Sequence, residues 1–129
     1  MSTNGKKILV VDDEPDVVKY ITSLLEDNGF ETVTACNGKE GMETAIKEKP
    51  DLISLDVTMP GETGVRMLRN LSEHEATKEI PVILVTGVDF SFKSFIEQRK
   101  QVVPPKAYFE KPIDKDKLLA EVKSLLGVG

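Results

Sequence analysis

Short apolar runs alternate with stretches of helical spacing along the whole chain. The runs are KILVVD (7–12), ETVTAC (31–36), DLISLD (51–56), PVILVT (81–86) and KAYFE (106–110). Each has the length of a strand and is bounded by turn formers or acids. Three of them, 7–12, 51–56 and 81–86, are continuously apolar rather than alternating, which predicts strands covered on both faces and hence a parallel sheet. Between the runs the period changes. Over 14–28, Val17, Val18, Ile21, Leu24 and Leu25 recur on one helical face, with Pro15 suited to the first turn and Gly29 to the C-terminal cap. Residues 38–48 carry Met42, Ala45 and Ile46 ahead of Pro50, and Val65, Leu68 and Leu71 repeat after Gly64. A last helix carries Leu118, Leu119, Val122, Leu125 and Leu126, with Asp114 as its N-cap. Residues 89–102 predict a less regular helix that Pro104-Pro105 must end. The sum is five βα units, (βα)5, with no repeat, low-complexity segment or internal linker. Such alternation predicts one α/β domain over 1–129, a parallel sheet layered between helices with right-handed crossovers.

Composition narrows the function classes. The chain has 129 residues, 40% hydrophobic and 30% charged, which fits one ordinary globular domain rather than a disordered chain. A net charge of −5, with basic residues scattered among acids, argues against nucleic acid as a direct partner. Cys36 is the only cysteine, so an intrachain disulfide and a thiolate zinc site are excluded, and a reducing compartment suits it. The start, MSTNGKKILVV, lacks the apolar core of a secretory signal, and no run approaches a membrane span. A cytoplasmic setting is the expectation.

Candidate chemistry gathers at the strand ends. In an open parallel sheet the C-terminal ends share one edge, and ligands bind beside it. This chain places Asp12-Asp13 after the first strand, Asp56 at the end of the third, Thr86-Gly87 at the end of the fourth and Lys111-Pro112 after the fifth. Three carboxylates on one rim repel one another, so some must protonate or a cation must join them. With oxygen donors only, a hard divalent ion such as Mg²⁺, which takes about six oxygens, is the natural solution. Lys111 as a point charge and Thr86 as a hydroxyl donor could hold the oxygens of an incoming phosphoryl group. Asp56 then becomes a candidate nucleophile for an aspartyl-phosphate.

These residues carry a family resemblance. VVDDEP (10–15), LDVTMPGETG (55–64), VTG (85–87) and KP (111–112), in that order and at those strand ends, resemble the receiver domain of two-component response regulators. The resemblance covers 6–126, essentially the whole predicted core. It implies a flavodoxin-like three-layer sandwich with a five-stranded sheet in the order 2-1-3-4-5. It implies that Asp56 takes a phosphoryl group from a sensor histidine kinase or a histidine phosphotransfer protein, with Mg²⁺ or Mn²⁺ as cofactor. Asp13 and Asp56 would ligate the metal directly, the backbone carbonyl of Thr58 would be a third ligand, and Asp12 would act mainly through bound water. Lys111 would hold a phosphoryl oxygen across a cis Lys111-Pro112 bond. Thr86 would move toward the phosphoryl group while Tyr108 turns inward, switching the face formed by the fourth helix, fifth strand and fifth helix toward an output partner. A phosphorylation-dependent homodimer is left open. The resemblance implies a switch that catalyses its own modification rather than a turnover enzyme.

Other readings compete. Asp12-Asp13 could merely start a turn before Pro15, Tyr108 could be strand packing, His74 a solvated helix end, Cys36 a small apolar packing residue, and DKDK (114–117) a solvated first helical turn. A receiver fold that docks partners without phosphorylation is the alternative function. A haloacid-dehalogenase-type phosphatase lacks its second acid, since Thr58 stands there; a flavodoxin would meet acids where it needs a phosphate loop. The chain stops just after the last helix, which predicts no DNA-binding extension within it and leaves open a stand-alone regulator or the receiver of a longer protein. Two departures stand out. The segment from Thr86 to Lys111 is long for the family, and Phe90, Phe92 and Phe95 cluster in it, which suggests an altered partner surface centred on Phe92 and Phe95. Thr58 and Val88 occupy positions that influence water access in the family, and neither can orient water, which suggests slow self-dephosphorylation.

Overall fold

The computed structural model describes residues 5–56, 63–86, 107–110 and 113–127. Within these the order is β1 (Lys7–Val11), α1 (Pro15–Asp27), β2 (Glu31–Ala35), α2 (Gly38–Glu48), β3 (Leu52–Asp56), α3 (Thr63–Glu73), β4 (Val82–Thr86), β5 (Ala107–Glu110) and α4 (Lys115–Leu126). Every predicted strand is present to within a residue. The helix expected over 89–102 lies outside the described residues, so α4 is the helix expected last.

All strand pairs are parallel, and the sheet order is β2-β1-β3-β4-β5. The α/β class and the flavodoxin-like order thus agree with expectation. The continuously apolar runs are the inner strands: β1 is buried from Ile8 to Val11 and β3 from Leu52 to Asp56. β2, on the edge, is buried only at Ala35.

Side chains alternate across the sheet and feed two cores. Leu9, Val11, Ile53, Leu55, Val82 and Leu84 meet Ala45 of α2 and Met67, Leu68 and Leu71 of α3. Ile8, Val10, Leu52 and Ile83 meet Ile21 and Leu25 of α1 and Leu118 and Val122 of α4. Helices therefore cover both faces in pairs, as three layers require. Gly41 is the close-packing point of α2. A Cβ there would lie 2.6 Å from Met67 Sδ and 3.2 Å from Val11 Cγ2.

Local signals explain the helix ends. Pro15 opens α1, and Asn28 closes it by donating from Nδ2 to the Leu24 carbonyl at 2.8 Å, before Gly29 turns the chain at φ 90°. α2 starts on an Asn37 cap: Glu40 N–H donates to Asn37 Oδ1 (2.8 Å), and the Glu40 side chain reaches back one residue beyond the cap, where Cys36 N–H donates to Glu40 Oε1 (2.9 Å). Asp114 caps α4 by accepting from the backbone of Asp116 and Lys117.

Two expectations fail. Cys36 is exposed rather than packed as a small apolar residue. It lies one step past the end of β2, where Glu40 Oε1 accepts from its N–H and Asn37 Nδ2 donates to its sulfur at 3.7 Å. Ile46, expected on the inner face of α2, is 37% exposed, because Ala45 next to it takes the core position. Met67 was not singled out and is a core residue of α3.

Candidate functional site

The β1–β3 register builds the site. Ile8 pairs with Leu52, Leu9 with Ile53, Val10 with Ser54 and Val11 with Leu55, an offset of 44 throughout. One step further along both chains stand Asp12 and Asp56. By alternation both follow Ile8, Val10 and Leu52, on the side of the sheet that α1 and α4 cover. The Asp12 N–H donates to the Ala35 carbonyl at 3.1 Å, so the β1–β2 ladder is still holding the chain where the acid stands.

The turn into α1 brings two more acids to the same place. Asp12 Oδ1 accepts from the Glu14 N–H at 2.9 Å, an aspartate closing a turn two residues on. Glu14 is the N-cap of α1 by backbone conformation, yet its side chain makes no capping hydrogen bond. Asp13, Glu14 and Asp16 sit at the N-terminal end of α1, where the helix dipole favours negative charge. Asp12, Asp13, Glu14 and Asp56 each offer an oxygen, and the four oxygens all lie within 4.8 Å of one another. Asp12 and Asp56 are each 1% exposed, whereas Asp13 and Glu14 are open to solvent. The cluster is a cup, with two carboxylates in its floor and two on its lip.

That donor set suits a hard divalent cation. It is all oxygen and all carboxylate, with no imidazole or thiolate in it, which favours Mg²⁺, Mn²⁺ or Ca²⁺ over zinc or copper. The open lip leaves access for water and for an anionic second reactant.

Asp12, Asp13 and Asp56, the three acids expected from the sequence, are thus brought together. Glu14 joins them unexpectedly; it stands in the VVDDEP motif, but nothing in the sequence says which way a residue before Pro15 turns. Thr86 ends β4, one step beyond the Asp56–Val85 pair, and its backbone reaches the same rim. Tyr108 lies on β5 opposite Leu84, two residues short of the Thr86–Glu110 pair. Thr58, Lys111 and Pro112 lie outside the described residues, as do Val88, Phe90, Phe92 and Phe95. His74 follows α3, at the sheet edge opposite the acids; it is exposed, and its Nδ1 accepts from the Ala76 N–H. It has no part in the site.

A parallel sheet with helices on both faces and an acid cup at the C-terminal ends of its inner strands defines a class of domain, and comparison with known proteins names it. The family model of the response regulator receiver domain matches residues 8–123. Protein PilH of Pseudomonas aeruginosa is 35% identical over 120 residues, covering 93% of this chain and 97% of PilH. The polar-differentiation response regulator DivK of Brucella anthropi is 33% identical over 122 residues, with coverage of 95% and 97%. Among solved structures, one of a putative response regulator from Chloroflexus aurantiacus superposes with a TM-score of 0.85 at 27% identity, covering 96% of this chain and 99% of that one. The chain belongs to the response regulator receiver domain family. Among the described residues no helix is long and apolar enough to cross a membrane.

Proposed function

We propose that this domain is a phosphoacceptor switch: Asp56 receives a phosphoryl group from a phosphohistidine of a sensor kinase or phosphotransfer protein, with Mg²⁺ or Mn²⁺ required. The observation that carries the reading is Asp56 itself, buried at the end of β3 with three other carboxylates within 4.8 Å. Carboxylates gathered this closely repel one another, and a divalent cation among them would relieve that repulsion.

In the transfer, one Asp56 carboxylate oxygen attacks phosphorus as the phosphorus–nitrogen bond of the donor breaks. The bonding pair leaves with the imidazole, which takes up a proton, and Asp56 carries a mixed anhydride. Asp12, Asp13 and Asp56, with the Thr58 carbonyl, would hold the cation; the Glu14 carboxylate lies beside those of the three aspartates. A bound divalent ion would supply charge neutralisation where the incoming phosphoryl group meets the carboxylates of the cup. Lys111 and Thr86 take the remaining phosphoryl oxygens. The Asp12–Glu14 turn and the β1–β3 register hold the acids in place, so attack needs little rearrangement.

The added charge then biases a two-state surface through Thr86 and Tyr108, which signals to an output protein or fused output domain. On this reading the domain turns over no metabolite; it promotes only the gain and loss of its own phosphoryl group. It works in the cytoplasm, and it contacts neither nucleic acid nor membrane directly.

The test is intact mass after incubation with acetyl phosphate, with and without Mg²⁺. The expected result is one phosphoryl adduct that requires Mg²⁺ and is absent in Asp56→Asn. No adduct on the wild type, together with failure to bind a beryllium fluoride phosphoryl mimic, would refute it.

A further inference from the structure

The acid cup contains one more carboxylate than the three this reading uses. Glu14 occupies the N-cap of α1, where a side-chain oxygen ordinarily accepts from the first helical turn, and it makes no such bond. Its carboxylate instead lies within 4.8 Å of the oxygens of Asp12, Asp13 and Asp56. Its backbone is fixed from below by the Asp12 Oδ1 hydrogen bond and from ahead by Pro15, which roots the side chain at the lip of the cup.

We propose that Glu14 is a positioning residue that tunes the cation site by its charge, strengthening divalent-cation binding while opposing the incoming phosphoryl anion. The inference rests on the phosphoacceptor reading above. Its two consequences have opposite signs, because the cation is attracted and the phosphoryl donor repelled by the same carboxylate. A unit charge about 5 Å from a divalent ion, in high dielectric and screened by physiological salt, changes affinity by roughly fivefold.

The experiment measures Mn²⁺ binding by electron paramagnetic resonance, with Mg²⁺ as competitor, on wild type, Glu14→Gln, Glu14→Asp and Glu43→Gln. It then follows phosphorylation by acetyl phosphate at saturating Mg²⁺. Glu14→Gln is expected to bind both metals about fivefold more weakly, with the deficit shrinking as salt is raised, and to react faster once the metal is saturating. Glu14→Asp keeps the charge and is expected to recover most of the affinity. Glu43, an exposed acid on α2 outside the cup, is expected to be neutral. Unchanged metal affinity in Glu14→Gln overturns the proposal, as does a deficit that salt does not reduce or that Glu14→Asp shares in full. Wild-type protein that binds neither metal overturns the phosphoacceptor reading as well, whereas normal wild-type binding with an unaltered Glu14→Gln overturns this inference alone.

Discussion

In Mg²⁺-free buffer, Asp56→Asn is expected to melt above the wild type. Asp56 is 1% exposed, and its oxygen lies within 4.8 Å of those of Asp12, Asp13 and Glu14. Two like unit charges at such a separation repel by about 0.9 kcal/mol in bulk water and by about 3.5 kcal/mol at an effective dielectric near 20. The pair with buried Asp12 belongs toward the upper figure. The pairs with exposed Asp13 and Glu14 belong below the lower one, since a Debye length of about 8 Å weakens them further. The amide forfeits the charge-assisted part of whatever hydrogen bonds the carboxylate makes, which offsets some of the relief. The net expectation is about 1–2 kcal/mol of stabilisation, or roughly 4–8 °C in Tm for a domain of this size. Thermal unfolding followed by far-ultraviolet circular dichroism in EDTA reads this directly. Added Mg²⁺ should then raise the wild type by about 1.4 kcal/mol at ten times its Kd and raise Asp56→Asn by less, so that the gap narrows. A folded Asp56→Asn that melts at or below the wild type in EDTA would refute the claim that like-charge repulsion dominates the empty cup. So would a gap that Mg²⁺ leaves unchanged.

Three further outcomes test the scaffold. Asn37→Ala removes the oxygen that accepts the Glu40 N–H and is expected to cost about 1 kcal/mol in chemical denaturation, with the slope unchanged. Gly41→Val drives a branched side chain into Met67 and Val11 and is expected to destabilise by about 1–3 kcal/mol; a companion Met67→Ala, which opens room, should recover part of that loss. Thr77 is 1% exposed, and its hydroxyl donates to the Leu71 carbonyl at 2.9 Å, so Thr77→Val should cost about 1–2 kcal/mol in the same assay while leaving Mn²⁺ affinity untouched.

Strands and helices were legible because their periods differ and because buried strands advertise themselves. The runs at 7–12, 51–56 and 81–86 have apolar residues pointing to both faces since helices cover both faces there, and β1 and β3 are buried accordingly. Caps were legible where side-chain chemistry is local: Pro15, Gly29 and Asp114 act within a few residues of themselves. The errors came where a residue's fate depends on a neighbour. Cys36 is exposed because Glu40, four residues on, holds the chain past the end of β2. Ile46 faces outward because one residue's rotation along α2 hands the core to Ala45. Glu14 belongs to the same class. Its identity was plain, but whether its carboxylate turns toward those of Asp12, Asp13 and Asp56 is a matter of side-chain direction that no periodicity encodes.

The site was more legible than these errors suggest, because in this architecture fold and site are one specification. Asp12 and Asp56 are separated by the offset of 44 that pairs Ile8 with Leu52 and Val10 with Ser54. The apolar alternation that fills the two cores fixes that register, since a slip of one residue would turn every buried side chain of a strand to the wrong face. Such a slip would also carry Asp56 to the side of α2 and α3, away from the turn that holds Asp13 and Glu14. A sequence that packs Ile8, Val10 and Leu52 against α1 and α4 therefore delivers the two floor acids to the same point on the rim. Nothing further is needed to bring them together, and the cost of gathering like charges is carried by the core beneath them. That division of labour is why Asp56→Asn can raise stability in the absence of metal even though it abolishes the chemistry proposed for the site.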